Sequence, residues 1–281
     1  MLFLKIIDKN NHIKFQSQGT CIQAEYRGEL VEGDKISLSI DGGRVAAVRF
    51  SPCLEESIIY APNKSFTFTI PSERELWMGY PPDAFKGLIH SIAAREVEDE
   101  EFCKTRNIAL NSHDLRSKTG GYPHASANFV TREEPCFYER NAIDGEKNNQ
   151  GHGPYPYHSW AGGARNDLEY TLDFGTEVEV DQLIFYLRAD FKHDGNGVPH
   201  DSYWKSIDIQ FDDGEIVKGE FTLDNTDLNP ENSQGIAVVL AETKKTKKIK
   251  LFNFIQVTEK TWFCGVDANR SIRTIHQGGF K

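Results

Sequence analysis

Short stretches in which apolar and polar residues alternate, set off by Gly, Asn and Asp, recur along the whole chain, whereas helical periodicity is scarce. Alternation places every second side chain on one face, the mark of a half-buried strand, so the chain reads as all-β and built of sandwiches. In residues 1–100 the pattern predicts strands at 2–7, 20–26, 35–40, 44–50, 65–70 and 88–97. Leu2, Leu4 and Ile6 show it most simply. Asp41, Gly42 and Gly43 stand between two of these runs and predict a hairpin, because glycine accepts the positive φ of a tight turn. Residues 71–85 are predicted as a loop, since Pro71, Pro81 and Pro82 withhold the backbone donors that a central strand needs. Further strands are predicted at 168–174, 182–187, 206–211, 236–240 and 248–254. Between them and the first group, residues 107–168 form a long polar stretch rich in Gly, Asn, His and Tyr, the kind of segment that carries functional loops.

At 281 residues the chain is long enough for two domains. The acidic run Glu96, Glu98, Asp99, Glu100, Glu101 marks the expected junction, giving an N-terminal β-sandwich over 1–100 and a second domain over 101–281. A net charge of −10 argues against nucleic acid or an anionic membrane surface as partner. The basic cluster Lys244, Lys245, Lys247, Lys248 reads as a charged turn entering a strand. No apolar run approaches the roughly 18 residues of a membrane span. Five cysteines, Cys21, Cys53, Cys103, Cys136 and Cys264, are an odd number without CxxC spacing, so they cannot form a fully paired disulfide framework. With Lys5, Asp8 and Lys9 interrupting any signal-like apolar start, these thiols point to the cytoplasm, with secretion the alternative if a signal has been trimmed away.

Catalytic signatures are missing: there is no Gly-x-Ser-x-Gly, no His-Glu-x-x-His and no Gly-rich phosphate loop. The cluster Asp190, His193, Asp194, His200, Asp201 fits no zinc spacing, and a non-enzymatic role follows. Asp144, beside Gly145 and near Asn141, Asn148 and Asn149, offers hard oxygen ligands suited to Ca²⁺, or an Asx turn that caps its own backbone. Tyr155, Tyr157, His158 and Trp160 lie in a Gly/Pro-rich loop, where rings either stack on sugar faces or pack the loop onto a sandwich. Arg188 and Asp190 stand two apart and project to one side if their strand continues. A guanidinium beside a carboxylate suits vicinal hydroxyls, or forms a salt bridge that pins the loop.

Several segments carry a family resemblance: RNIAL at 106–110, ERNAIDG at 139–145, HSW followed by DLEYTLDFG, VDQLIFYLRADF at 180–191, and SIDIQFDDG. In these the second half resembles the discoidin-type carbohydrate-binding modules of the galactose-binding-like superfamily. The run from YPHASAN to RADFKHD is similar to a bacterial subgroup that couples such a module to an N-terminal β-domain. The resemblance implies a jelly-roll sandwich whose loops bind a glycan without catalysis. It implies a sugar site formed by Tyr157, Trp160, Arg188, Asp190, His193, Asp194 and Trp204, and a structural calcium held by Asn141, Asp144 and Asn149. Two departures stand out: the turn between Gly145 and Trp160 is stretched, and the family's closing strand is replaced by VDANRSIRTIH. Two other readings stay open, an assembly protein using the jelly roll as scaffold and a carbohydrate-active enzyme with its site between the domains.

Overall fold

The computed structural model describes residues 1–102, 104–148, 153–163, 165–187, 204–221, 235–256 and 271–277. Among them, antiparallel sheets enclose two separate apolar cores. Strands β1 (Leu2–Ile7), β2 (Ile13–Gly19), β4 (Lys35–Ile40) and β7 (Ser65–Thr69) form one sheet in the order β2-β1-β4-β7. Strands β3 (Cys21–Arg27), β5 (Val45–Arg49), β6 (Ser57–Tyr60) and β8 (Ile89–Glu96) form another in the order β3-β8-β5-β6. The alternation works as predicted in β1, where Leu2, Leu4 and Ile6 are buried against Ile22, Ile36, Leu38 and Ile92 while Lys5 points outward.

Two local expectations are corrected. Residues 41–43 do not close a hairpin, because β4 pairs with β1 and β7 whereas β5 pairs with β6 and β8. The turn carries the chain between sheets, since Ile40 and Val48 each complete the same core from opposite sides. Residues 71–85 are not all loop but include helix α1 (Glu73–Gly79). Ser72 Oγ accepts the Glu75 N–H at 3.3 Å and Glu75 Oε2 accepts the Ser72 N–H at 2.9 Å. This reciprocal cap starts the helix, and Pro71 and Pro81 flank it without interrupting it.

The acidic junction contains the short helix α2 (Asp99–Phe102), whose Glu101 is held by Arg95 at 2.7 Å. Arg95 also reaches Glu56 at 2.6 Å.

The second core is surrounded by β9 (His124–Ala127), β10 (Trp160–Ala161), β11 (Glu169–Leu187), β12 (Trp204–Gln210), β13 (Ile216–Glu220), β14 (Ile236–Gln256) and β15 (Ser271–Gln277). The order is β10-β15-β11-β14-β12-β13, with β9 pairing the first part of β11. What reads in sequence as two pairs of separate strands is two long ones, β11 and β14, paired through register shifts. In β11 the buried positions are Tyr170, Leu172, Phe174, Val178 and Val180 in even numbers and Leu183, Phe185 and Leu187 in odd numbers. The shift between Val180 and Gln182 inserts the extra residue that reverses the parity, so both halves of the strand keep their apolar face on the core.

The basic cluster is likewise not a turn. It lies within β14, opposite acidic residues on neighbouring strands. Lys244 binds Glu215 and Glu242, each at 2.6 Å, Lys248 binds Asp173 at 3.0 Å, and Lys245 lies 3.8 Å from Glu179.

Candidate functional site

The rings expected to greet a sugar separate into two groups. Trp160 is 0% exposed and its Nε1 donates to the Phe129 carbonyl at 3.1 Å, while its ring packs on Tyr170 and Phe254. Trp204 is buried against the same Phe254, with ring centroids 4.9 Å apart. Neither tryptophan offers a face to a ligand, and both are corrected to core residues: β10 and β12 place them where large apolar volume fills the sandwich. Tyr157 differs, being 36% exposed. Arg188, Asp190, His193 and Asp194 lie outside the described residues.

The strand end that precedes Arg188 is well anchored. Leu187 pairs with Ile272 of β15, and Ile272 pairs in turn with Trp160 of β10, so three strands meet in one row. On the other side Phe185 pairs with Ile236 of β14. The last described residue before Arg188 is thus held on one flank by Ile272, with the pairing to β14 ending at Phe185.

Of the expected calcium ligands, Asn149 lies outside the described residues. Asn141 is 0% exposed; its Oδ1 accepts the Arg140 Nη1 at 3.0 Å and its Nδ2 donates to the Pro135 carbonyl at 2.9 Å. Asp144 Oδ1 accepts the Glu146 N–H at 3.0 Å, which is an Asx turn, and Oδ2 bonds His158 Nε2. A guanidinium on one oxygen and an imidazole on the other do not fit a dication between these two side chains. Among the described residues no group of three His, Cys, Asp or Glu side chains could hold a metal. Gly145 turns the chain at φ +97°, where a Cβ would stand 2.3 Å from Glu55 Oε2 and 2.9 Å from Leu110 Cδ1, so only glycine fits.

The most developed polar geometry lies at the seam between the two cores, in residues that the sequence did not mark. Asn111, Ser112, His113 and Asp114 are all buried and reach from the second half into the first. His113 Nε2 accepts the Phe50 N–H at 3.0 Å and its ring meets Phe50 and Phe68 edge-on. Burial, with the Arg140 guanidinium nearby, pushes the His113 imidazole down to about 3. Ser112 Oγ bonds the Glu55 carbonyl at 2.6 Å, and Tyr122 exchanges two backbone bonds with Tyr60, each 2.9 Å. Asp114 bonds His124 Nδ1 at 2.8 Å and the Ala125 N–H at 2.9 Å. Burial raises the Asp114 carboxyl against the lowering effect of these bonds; for His124 burial pulls downward, but the bond to Asp114 and its charge leave the imidazole raised.

Arg140, from the short 3-10 turn Glu139–Ala142, crosses this seam. Its Nε donates to the Asp114 carbonyl at 2.8 Å, Nη1 to the Gly79 carbonyl at 3.2 Å, and Nη2 to the Ser112 carbonyl at 3.4 Å. The guanidinium lies 4.3 Å from the centroid of the Tyr80 ring. Two cavities, of about 370 and 280 Å³, open on either part of this seam, and Gly79, Tyr80 and Arg140 line both.

No protein-family model matches the chain, and no curated protein matches it. Among solved structures the chain is similar to chitosan-binding module 1 of a chitosanase/glucanase from Paenibacillus sp. IK-5, at 14% identity and a TM-score of 0.35 over 62% of this chain and 98% of that one. It is similar to the family 32 carbohydrate-binding module of C. perfringens NanJ, in complex with galactose, at 16% identity and a TM-score of 0.33 over 55% and 90%. Discoidin II of Dictyostelium discoideum matches at 9% identity and a TM-score of 0.36 over 56% of each chain. These are carbohydrate-binding modules and a discoidin.

Proposed function

We propose that this protein binds carbohydrate without turning it over, through loops of its C-terminal sandwich. The observation that supports this best is the row Trp160, Ile272, Leu187, which fixes the strand end from which Arg188 and Asp190 follow. Binding groups that extend from a rigid sheet lose little freedom when they close on a ligand. A donor fork and an acceptor carboxylate two residues apart match the paired hydroxyls of a sugar ring, and Tyr157 supplies an exposed ring. His193 and Asp194 extend the same polar set. Burial raises the Cys136 thiol to about 11, so this thiol is not an activated nucleophile.

A glycan array on the full chain, followed by titration of the best ligand, tests the reading. Arg188→Ala should weaken binding roughly ten- to a hundredfold, the loss of a hydrogen bond to a charged group. The melting temperature should stay within a few degrees. Unchanged affinity would remove Arg188 from the site, and release of a hydrolysed product on incubation would replace binding by catalysis.

A further inference from the structure

Trp77 and Tyr157 come from different halves of the protein, and both rings are exposed. We propose that Trp77 forms an outer subsite of the carbohydrate site, so that an oligosaccharide seated at Tyr157 extends across the boundary between the halves onto α1. This rests on the carbohydrate reading above and adds to it a contribution from the N-terminal half.

Trp77 is 62% exposed, against 0% and 1% for Trp160 and Trp204. An indole left in water forgoes one of the largest apolar contacts a side chain can make. The helix explains how the ring comes to face outward. Successive residues step about 100° around α1, so Leu76 packs on the first core, Met78 packs on the second, and Trp77 between them enters neither.

The surroundings of the ring are polar. Glu73 and Arg74, one turn earlier and therefore on the same stripe of the helix, are both exposed. Arg74 lies 4.0 Å from Glu134 Oε1, beyond hydrogen-bond range, so its donor fork is available to a ligand. A lone ring beside a guanidinium and a carboxylate is not the contiguous apolar patch of a protein-docking surface. It matches a sugar, whose C–H face packs on an aromatic ring while its hydroxyls both donate and accept.

The second half reaches the same helix through one backbone bond. Tyr155 N–H donates to the Met78 carbonyl at 2.9 Å, next to Trp77 in the chain. The Tyr155 ring packs on buried His158, with centroids 5.2 Å apart, and Tyr157 N–H donates to the Pro154 carbonyl at 3.0 Å. The loop that carries Tyr157 is thus anchored to both halves. The backbone path through the Tyr155–Met78 bond keeps the Cα atoms of Trp77 and Tyr157 within roughly 18 Å of each other, a span that a short oligosaccharide covers. A chain that engages both rings gains affinity because the second contact is made within the complex.

The experiment is isothermal titration of the full-length protein and its variants with linear gluco-, galacto- and N-acetylglucosamine oligosaccharides, from one ring to about four, the length that a bridging ligand needs. In the parent, affinity should rise about three- to tenfold from the shortest to the longest member of the series that binds, the worth of one stacking contact. Trp77→Ala should abolish this gain, and Trp77→Tyr, which retains a ring, should restore most of it. Neither variant should melt below the parent, because the side chain packs on neither core and alanine favours a helix. Arg188→Ala, in the loop site, should instead lower affinity at every length. A gain with length that survives in Trp77→Ala, or a parent that binds all lengths equally, would overturn the outer subsite and leave the loop reading standing. A parent that sediments as a dimer and Trp77→Ala as a monomer would assign the ring to a second copy of the chain and overturn the subsite as well. No binding of any probe by the parent would overturn the carbohydrate reading and the subsite together.

Discussion

His113 Nε2 accepts the backbone N–H of Phe50 at 3.0 Å, joining the second half of the chain to the core of the first. Accepting at Nε2 fixes the neutral tautomer, with Nδ1 facing Ser112 Oγ at 3.0 Å as the donor. Protonation would set two donors against each other in a buried site, and the imidazole is accordingly pushed down to about 3 from an ordinary 6.5. The unfolded chain takes up this proton near 6.5 and the folded chain does not. The stabilisation is therefore complete above that pH and is lost as pH falls towards 3, at up to about 1.4 kcal/mol per pH unit. The raised carboxyls of Asp114, Glu139 and Glu55 act in the opposite sense, favouring the fold as they gain protons, but they do so in any His113 variant. Denaturation midpoints between about pH 7 and about pH 5 should fall more steeply in the parent than in His113→Gln, whose amide oxygen accepts the same N–H without titrating. Parallel slopes would dismiss His113 as the source.

Arg140 should be among the most sensitive positions in the chain. Arg140→Met leaves the carbonyls of Asp114, Gly79 and Ser112 without their donor in a buried seam, a loss of about 3–5 kcal/mol by analogy with broken buried pairs. Arg140→Lys should recover little, because one ammonium cannot span acceptors spread around a planar fork. Urea unfolding measures both, and a loss within about 0.5 kcal/mol, as for an ordinary surface change, would contradict the assignment.

Two separate cores lead to the expectation that 1–100 and 101–281 are distinct folding units. Limited proteolysis should cut first within residues 96–106, where Glu98, Glu100 and Lys104 are exposed. Because His113 and Arg140 cross the seam, the nicked halves should still elute together on size exclusion and come apart when Arg140→Met is introduced. First cleavage inside 111–122 would argue against this division.

What the sequence revealed and what it hid follow from where each side chain finds its partner. Alternation located β1 and β4 because Leu2, Leu4, Ile36 and Leu38 each bury against a neighbour two strands or one sheet away, the very effect that periodicity measures. Edge strand β2 escaped, since none of its residues is fully buried and its apolar face is weak. Strand β6 escaped because it is short and begins at Ser57, a buried polar residue whose hydroxyl accepts the Ser112 N–H at 3.0 Å. The cap of α1 was written as Ser72-x-x-Glu75 and was outweighed by the prolines around it. Arg140 could not be read at all: its acceptors are mostly backbone carbonyls, and those leave no residue-type signal. Trp160 reads in sequence as a loop ring, yet it lies in β10, where its ring meets Tyr170 and Phe254 and its indole N–H donates to the Phe129 carbonyl.

Calcium removal should have no effect on the melting temperature if Asp144 acts as its hydrogen bonds indicate. Its two oxygens hold the Glu146 N–H and the His158 imidazole. Asp144→Asn keeps an acceptor for the turn and should cost about 1 kcal/mol, while Asp144→Ala forfeits the turn bond and leaves buried His158 without this carboxylate, about 2–3 kcal/mol. A melting temperature that falls by several degrees in chelator and recovers with added Ca²⁺ would restore the metal reading.

Trp160, Trp204 and Tyr157 give a three-way contrast that separates packing from recognition. The two tryptophans are 0% and 1% exposed and share Phe254 as a neighbour, so each alanine variant opens a large hole in one core. Truncation of such a ring typically costs about 3–5 kcal/mol, and the Phe129 carbonyl also loses its indole donor in Trp160→Ala. Both variants should melt well below the parent, and any glycan binding they lose should return in proportion to the folded fraction at low temperature. The Tyr157 ring is 36% exposed, and its backbone N–H bonds the Pro154 carbonyl at 3.0 Å, a contact that does not depend on the side chain. Tyr157→Ala should therefore hold its melting temperature while binding falls by several-fold, the loss of one stacking contact. If Tyr157→Ala binds as the parent does, the exposed ring lies outside the site; if Trp160→Ala melts as the parent does and loses binding selectively, the tryptophan reaches the ligand and its place in the core is wrong.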